Sequence, residues 1–197
     1  MIVLGVTGNL ASGKTEAARI LKKHGALVFD ADAAARRAVR KGAPVYKAVV
    51  KLFGKDYLKT NGEIDRKKLA ARVFSRPEDL KKLNILIHPG VIFESMKLIE
   101  RTRKKKGLLV MDVPLLFESK MGNLADVTLV VSSTRERMLE RAAKQGMPGS
   151  LARKILSTQW PLGKKEKLAD HVIHNNGTLK DLEKEVLRVM RELKGKF

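Results

Sequence analysis

Gly8-Asn9-Leu10-Ala11-Ser12-Gly13-Lys14-Thr15 has the form G-x-x-x-x-G-K-[ST]. Each residue type in it has a physical use. Glycines at 8 and 13 let the backbone curl so that successive N–H groups point inward at phosphate oxygens. Lys14 can reach the β- and γ-phosphates of a nucleotide, and the Thr15 hydroxyl can ligate Mg²⁺. A helix opening here adds the positive end of its dipole. The chemistry on offer is the binding of a magnesium nucleotide. Gly8, Ala11, Ser12, Gly13, Lys14, Thr15 and Glu16 are the expected nucleotide contacts. Lys14 is expected to face solvent and to matter for turnover more than for the core. The bland alternative is a glycine turn with an incidental lysine.

Two carboxylates stand where such a loop could use them. Asp32 follows an apolar run at 26–29, on the edge where open α/β sheets bind ligands. It could accept a proton from an acceptor hydroxyl, or Asp30 or Asp32 could simply cap the next helix. Asp112 closes another apolar run, where it could hold Mg²⁺ through water or bond to loop amides. A guanine-reading N-K-x-D sequence is absent and 197 residues is short for a motor, so a small-molecule kinase is the expected class. Such an enzyme needs an acceptor site, an acid to orient the acceptor, and a basic lid.

The elements that must position these groups alternate. Ile2–Val6, Ala26–Phe29, Leu108–Asp112, Val127–Val131 and His171–His174 read as short buried strands. Helices are expected over 14–23, 33–40, 134–168 (broken at Gly146-Met147-Pro148) and 179–193, with Gly25 stopping the first. From Pro44 to Lys106 the pattern is helix after helix, with Gly62 as a break and Pro77 and Pro89 as places where new helices could begin. This predicts an α/β fold, a five-stranded parallel sheet of the P-loop type flanked by helices. Residues 1–43, 107–133 and 169–197 form its core, 44–106 a helical acceptor-binding insertion and 134–168 a helical lid.

Composition narrows the setting. No cysteine is present, so disulfides, thiolate metal sites and thiol nucleophiles are excluded. Asn9, Ser12 and Lys14 interrupt the apolar N-terminus before a signal or membrane span could form, and a cytoplasmic protein without membrane attachment is expected. The net charge of +20 favours anionic partners without naming them. One Trp and two Tyr supply few stacking platforms for single-stranded nucleic acid.

The chain resembles the dephospho-CoA kinase family over nearly its whole length. The resemblance is carried by Gly5-x-Thr7-Gly8, Phe29-Asp30-Ala31-Asp32, Gly62-Glu63-Ile64-Asp65-Arg66-x-x-Leu69-Ala70 and Ile87-His88-Pro89. It continues through Asp112-Val113-Pro114-Leu115-Leu116-Phe117-Glu118, Glu140-Arg141, Gln159, Lys167 and Ala169-Asp170-His171-Val172-Ile173-His174-Asn175-x-Gly177. It implies transfer of the ATP γ-phosphoryl group to the ribose 3′-hydroxyl of dephospho-CoA, with Mg²⁺ as cofactor and no need of nucleic acid. It also implies roles. Asp32 is the general base; Arg66, His88, Pro114, Leu115, Phe117 and Glu118 lie near dephospho-CoA; Arg141 is a lid arginine and Asn175 borders the adenine. Asn9-Leu10-Ala11 replaces the family's small residues, Gln145 and Ile155 stand where it carries lid arginines, and His174 where it carries aspartate. Lys144, Arg153, Lys154 or Arg137 could supply the charge of the missing lid arginines. Another small-molecule or nucleoside kinase, and an ATP-responsive nucleic-acid-binding protein, are the competing readings.

Overall fold

The computed structural model describes residues 1–195. Five strands form one parallel sheet: β1 (Ile2–Thr7), β2 (Leu27–Asp30), β3 (Leu108–Asp112), β4 (Val127–Ser132) and β5 (His171–His174), in the order β2-β3-β1-β4-β5. The chain forms two compact units, one from residues 1–30 with 95 onward and one from Ala31–Glu94.

In the first unit both faces of the sheet are covered, which is why its strands read as unbroken apolar runs. Side chains alternate along a strand. Leu4, Val6, Leu108, Val110, Leu129, Val131 and Ile173 share one face and pack on α1 (Lys14–Lys23) and α9 (Leu179–Lys194), through Ala17, Ile20, Leu21, Leu182, Val186 and Val189. On the other face, Gly5 leaves room for Leu116, whose Cδ2 would lie 2.9 Å from a Cβ at that position. α9 starts with a capping box: Asp181 N–H donates to Thr178 Oγ1, and Thr178 N–H to Asp181 Oδ2 at 2.8 Å. The expected lid segment holds α6 (Arg135–Lys144), α7 (Gly149–Thr158) and α8 (Leu162–Glu166). It breaks at 145–148 and again at 159–161, where Pro161 precedes α8.

The second unit has its own core. Val49, Ile64, Leu69 and Val73 are buried among Tyr46, Phe53, Tyr57, Leu80 and Leu83, drawn from α3 (Tyr46–Phe53), α4 (Arg66–Val73), α5 (Pro77–Thr102) and the stretch 57–64 between α3 and α4. Gly62, at φ 79°, forms the turn between Leu58 and Ile64, which make an isolated antiparallel bridge. Asp65 caps α4 by accepting from Lys68 N–H at 3.0 Å.

Two boundaries differ from expectation. Pro77 opens α5, but the helix runs through Pro89 without a new start. Proline there removes the hydrogen bond to the Ile85 carbonyl. Ile85 is 62% exposed, so water can take that acceptor. α2 spans Ala31–Ala38 and follows β2 with no intervening residue. Asp32 is therefore its second residue, inside the first turn, and not the residue before the helix. Among the described residues no helix is long and apolar enough to cross a membrane.

Candidate active site

Thr7 ends β1 and Lys14 starts α1, so the glycine loop fills the strand–helix turn that its sequence demands. Gly13 caps α1 at φ 105°, a left-handed conformation that suits glycine, and a Cβ there would strike Asn175 Nδ2. A Cβ at Gly8 would strike Ser12 Oγ and the Val131 carbonyl. These two glycines are fixed by close approach as well as by backbone angle. Ala11, at φ 55°, shares the left-handed region.

The loop is held from two sides. Behind it, Asn175 Nδ2 donates to the Ser12 carbonyl at 2.8 Å. Arg141 donates from Nη1 to the same carbonyl and to Ser133 Oγ, both at 3.3 Å, and from Nη2 to the Asn175 carbonyl at 2.9 Å. Beside its tip, Leu10 N–H donates to Gln159 Oε1 at 2.9 Å, and Asn9 Nδ2 to the Trp160 carbonyl at 3.1 Å.

Lys14 turns inward. Its ammonium pairs with the Asp112 carboxylate, and the two residues are 8% and 4% exposed. This corrects the expectation of a solvent-facing lysine. Val6 and Asp112 are partners across β1 and β3, so the sheet register carries the carboxylate to the end of the strand that feeds the loop.

The surroundings fit a magnesium nucleotide. Ser12 Oγ and Asn9 Oδ1 are buried and accept no hydrogen bond from the protein, and such atoms call for a ligand or water. The Thr15 side chain is exposed. Mg²⁺ typically takes one or two protein ligands plus phosphate oxygens; Thr15 and Asp112 could provide those two. Among the described residues no group of three or more His, Cys, Asp or Glu could hold a metal without a nucleotide. Glu16 does not turn to the loop: its carboxylate takes Arg19 Nη2 at 2.7 Å and Nε at 3.0 Å, along the helix.

The segment after β3 adds a second polar cluster. Thr7 Oγ1 donates to the Pro114 carbonyl at 3.0 Å. Lys165, fully buried on α8, donates to the same carbonyl at 3.0 Å and pairs with Glu118 Oε1 at 2.8 Å. Trp160 N–H also reaches Glu118 Oε1, at 3.1 Å. Burial holds the Lys165 pKa below its ordinary value, against the pull of Glu118, and nearby Lys14 lowers it further. Leu115 and Phe117 are half-buried, and Phe117 lies over Gly122. Sequence reasoning did not single out Lys165. One lysine among Lys164, Lys165 and Lys167 gives no local sign that it is the buried one.

The remaining expected residues lie in the second unit. Asp32 is exposed, as is Arg66, the first residue of α4, whose Nη2 lies 3.5 Å from the Arg36 carbonyl. His88 lies within α5 and is half-buried, and that burial lowers its pKa and favours the neutral imidazole.

A phosphate cradle with an internal lysine–carboxylate pair can exchange that pair for a nucleotide and a metal. Known proteins similar to this chain include kinases. A family model described as Dephospho-CoA kinase matches residues 2–181. A dephospho-CoA kinase of Geobacillus kaustophilus is 40% identical, covering 97% of this chain and 96% of its own. A crystal structure from Thermus thermophilus superposes with a TM-score of 0.77 at 34% identity, covering 98% and 97% of the two chains. The dephospho-CoA kinase of Campylobacter jejuni superposes with a TM-score of 0.68 at 28% identity, covering 99% and 98%.

Proposed function

The chain belongs to the dephospho-CoA kinase family, and from that premise we propose how its residues divide the work. The enzyme transfers the γ-phosphoryl group of ATP to the ribose 3′-hydroxyl of dephospho-CoA, giving coenzyme A and ADP, the last step of coenzyme A synthesis.

The observation that carries the proposal is the buried Lys14–Asp112 pair at the mouth of a loop with unsatisfied acceptors. A buried cation and anion hold each other until a better partner arrives. With a nucleotide bound, Lys14 would contact the β- and γ-phosphates, and Asp112 and Thr15 would be the residues to hold Mg²⁺, which would supply charge neutralisation there. Gly8, Ala11, Ser12 and Gly13 offer backbone N–H groups to phosphate oxygens. Arg141 and Asn175 fix the Ser12 carbonyl and so hold the loop in register, and Arg141 adds positive charge beside it.

On the acceptor side Asp32 takes the proton of the ribose 3′-hydroxyl as its oxygen attacks the γ-phosphorus. Its exposure and its place two residues after β2 support that role. The β–γ bridging oxygen leaves with ADP. Arg66 and His88 in the second unit, and the Pro114, Leu115, Phe117 and Glu118 segment in the first, bind dephospho-CoA. The catalytic effect comes mostly from positioning and electrostatics.

The test is ATP consumption and formation of the 3′-phosphate with dephospho-CoA, against adenosine, AMP and pantetheine at equal concentration. Dephospho-CoA is expected to be the preferred acceptor by at least roughly a hundredfold in kcat/KM, the scale of discrimination a polar site can supply. Equal turnover of adenosine or AMP would move the chain to a broader nucleoside kinase.

A further inference from the structure

Among the described residues, Lys165 is the largest side chain that is fully buried. An apolar residue of similar volume would avoid the desolvation that a lysine suffers there. Its two acceptors lie at opposite ends of one segment, the carbonyl of Pro114 and the carboxylate of Glu118. Both acceptors are shared, and each leads back to the phosphate loop. The Pro114 carbonyl also takes Thr7 Oγ1, from the residue before Gly8. Glu118 Oε1 also takes the N–H of Trp160. The carbonyl of Trp160 takes Asn9 Nδ2, and the neighbouring Gln159 takes Leu10 N–H. One ammonium group thus closes a ring that runs from the start of the loop to its tip.

We infer that Lys165 is a positioning residue: it holds the Pro114–Glu118 segment and the phosphate loop in one register, so that each responds to occupancy of the other. Lys165 touches no reacting atom and works through Glu118, Trp160 and Thr7. The inference rests on the proposed acceptor role of the 114–118 segment for its direction, and on the hydrogen bonds alone for its existence. Glu118 Oε2 is buried without a partner. The carboxylate is therefore held through one oxygen, and losing Lys165 would leave it with Trp160 N–H as its one direct protein donor among those just described. The chain has one tryptophan, and it sits in this ring, with the Lys164 ammonium 3.6 Å from its ring centroid. Its emission reports on the ring directly.

The experiment compares wild type, Lys165→Met and Lys165→Met/Glu118→Gln. Methionine keeps the length of the stem, and glutamine removes the carboxylate charge that the single variant strands. The single variant is expected to lose both melting temperature and turnover. The double variant is expected to regain most of the melting temperature while kcat stays about tenfold or more below that of a Glu118→Gln single variant measured alongside, an effect of the order produced by misplacing a positioned group. In wild type, Trp160 emission is expected to shift on adding a non-hydrolysable ATP analogue and, separately, dephospho-CoA. The dephospho-CoA shift is expected to vanish in Lys165→Met.

A double variant with the kcat of Glu118→Gln would make Lys165 a packing residue and overturn the inference. So would wild-type emission that either ligand fails to move. If neither lysine variant folds, the wild-type titrations decide alone: shifts with both ligands support the coupling, and silence to either one refutes it. Wild-type turnover with dephospho-CoA is measured alongside. Its absence would strike the proposed reaction, whereas normal turnover with unresponsive emission would strike only the coupling.

Discussion

The phosphate loop and the start of α2 both follow the carboxyl ends of parallel strands, β1 and β2, yet they are built in opposite ways. At the loop Asn9, Ser12, Lys14 and Asp112 are buried, and the side chains of Gln159 and Asn175, more than a hundred residues away, hold the backbone. At the start of α2 the residue with chemistry to offer, Asp32, is exposed in the first helical turn. A carboxylate suits the positive end of a helix dipole, so that exposure costs little. The difference teaches where stability and activity are entangled. On the proposed mechanism the nucleotide-side groups would serve both, and Asp32 would serve activity alone.

Asp32→Asn is the sharpest way to break this contrast. General-base assistance is worth roughly a hundredfold to ten-thousandfold, so turnover should fall by that order. Melting temperature and the affinities for ATP and dephospho-CoA should stay near wild type. Full activity at unchanged melting temperature would remove Asp32 from the chemistry. Since it lies inside the helix, a capping role would not replace it.

Lys14→Ala should cut kcat by roughly a hundredfold or more, the loss expected when a charge clamp on the transferred phosphoryl group goes. Here the melting temperature should fall too. Removing one partner of a buried ion pair costs about 3–5 kcal/mol, and Asp112 would lose its lysine partner in a place that is 4% exposed. A variant that is inactive but as stable as wild type would show the pair to be energetically idle and would blunt the comparison.

Arg141→Ala comes next. Its guanidinium holds the Ser12 and Asn175 carbonyls, so the loop should loosen, with kcat lowered by up to about a hundredfold and KM for ATP raised. A change confined to KM would limit Arg141 to loop support. A loss in kcat at constant KM and melting temperature would assign it to charge development instead. The smallest effect belongs to Thr178→Ala at the head of α9. Loss of that cap should cost about 1 kcal/mol, read by denaturant titration, with kcat unchanged.

The sequence was legible where local chemistry leaves no choice. A glycine loop between a buried strand and a helix has few physical solutions, and strands covered on both faces must be apolar throughout. Their ends were found to within about a residue or two. It was illegible where a residue's state depends on distant partners. Lys14 turns inward because Asp112, on β3, comes alongside Val6 in the sheet. Lys165 is buried because Glu118 and Pro114 wait for it. Pro89 reads as a helix start, yet the local cost of a missing hydrogen bond is small beside the packing of a helix of 26 residues. Asp32 shows the same limit at short range. Two more residues of helix at the start of α2 moved it from a preceding position into the first turn.

The strand order has a consequence for how the enzyme is made. β1 precedes both of its sheet neighbours by a long stretch of chain: its pairing with β3 begins at Ile2 with Leu108, and with β4 at Leu4 with Val127. At about 5–20 residues per second of synthesis, a nascent β1 waits on the order of 5–20 seconds for its first partner strand. β2 waits as well, since it pairs with β3. Meanwhile Ala31–Glu94 emerges complete, with a core of its own drawn from within that stretch. The Ala31–Glu94 unit can therefore fold during translation while the strand that carries the phosphate loop still waits for its neighbours.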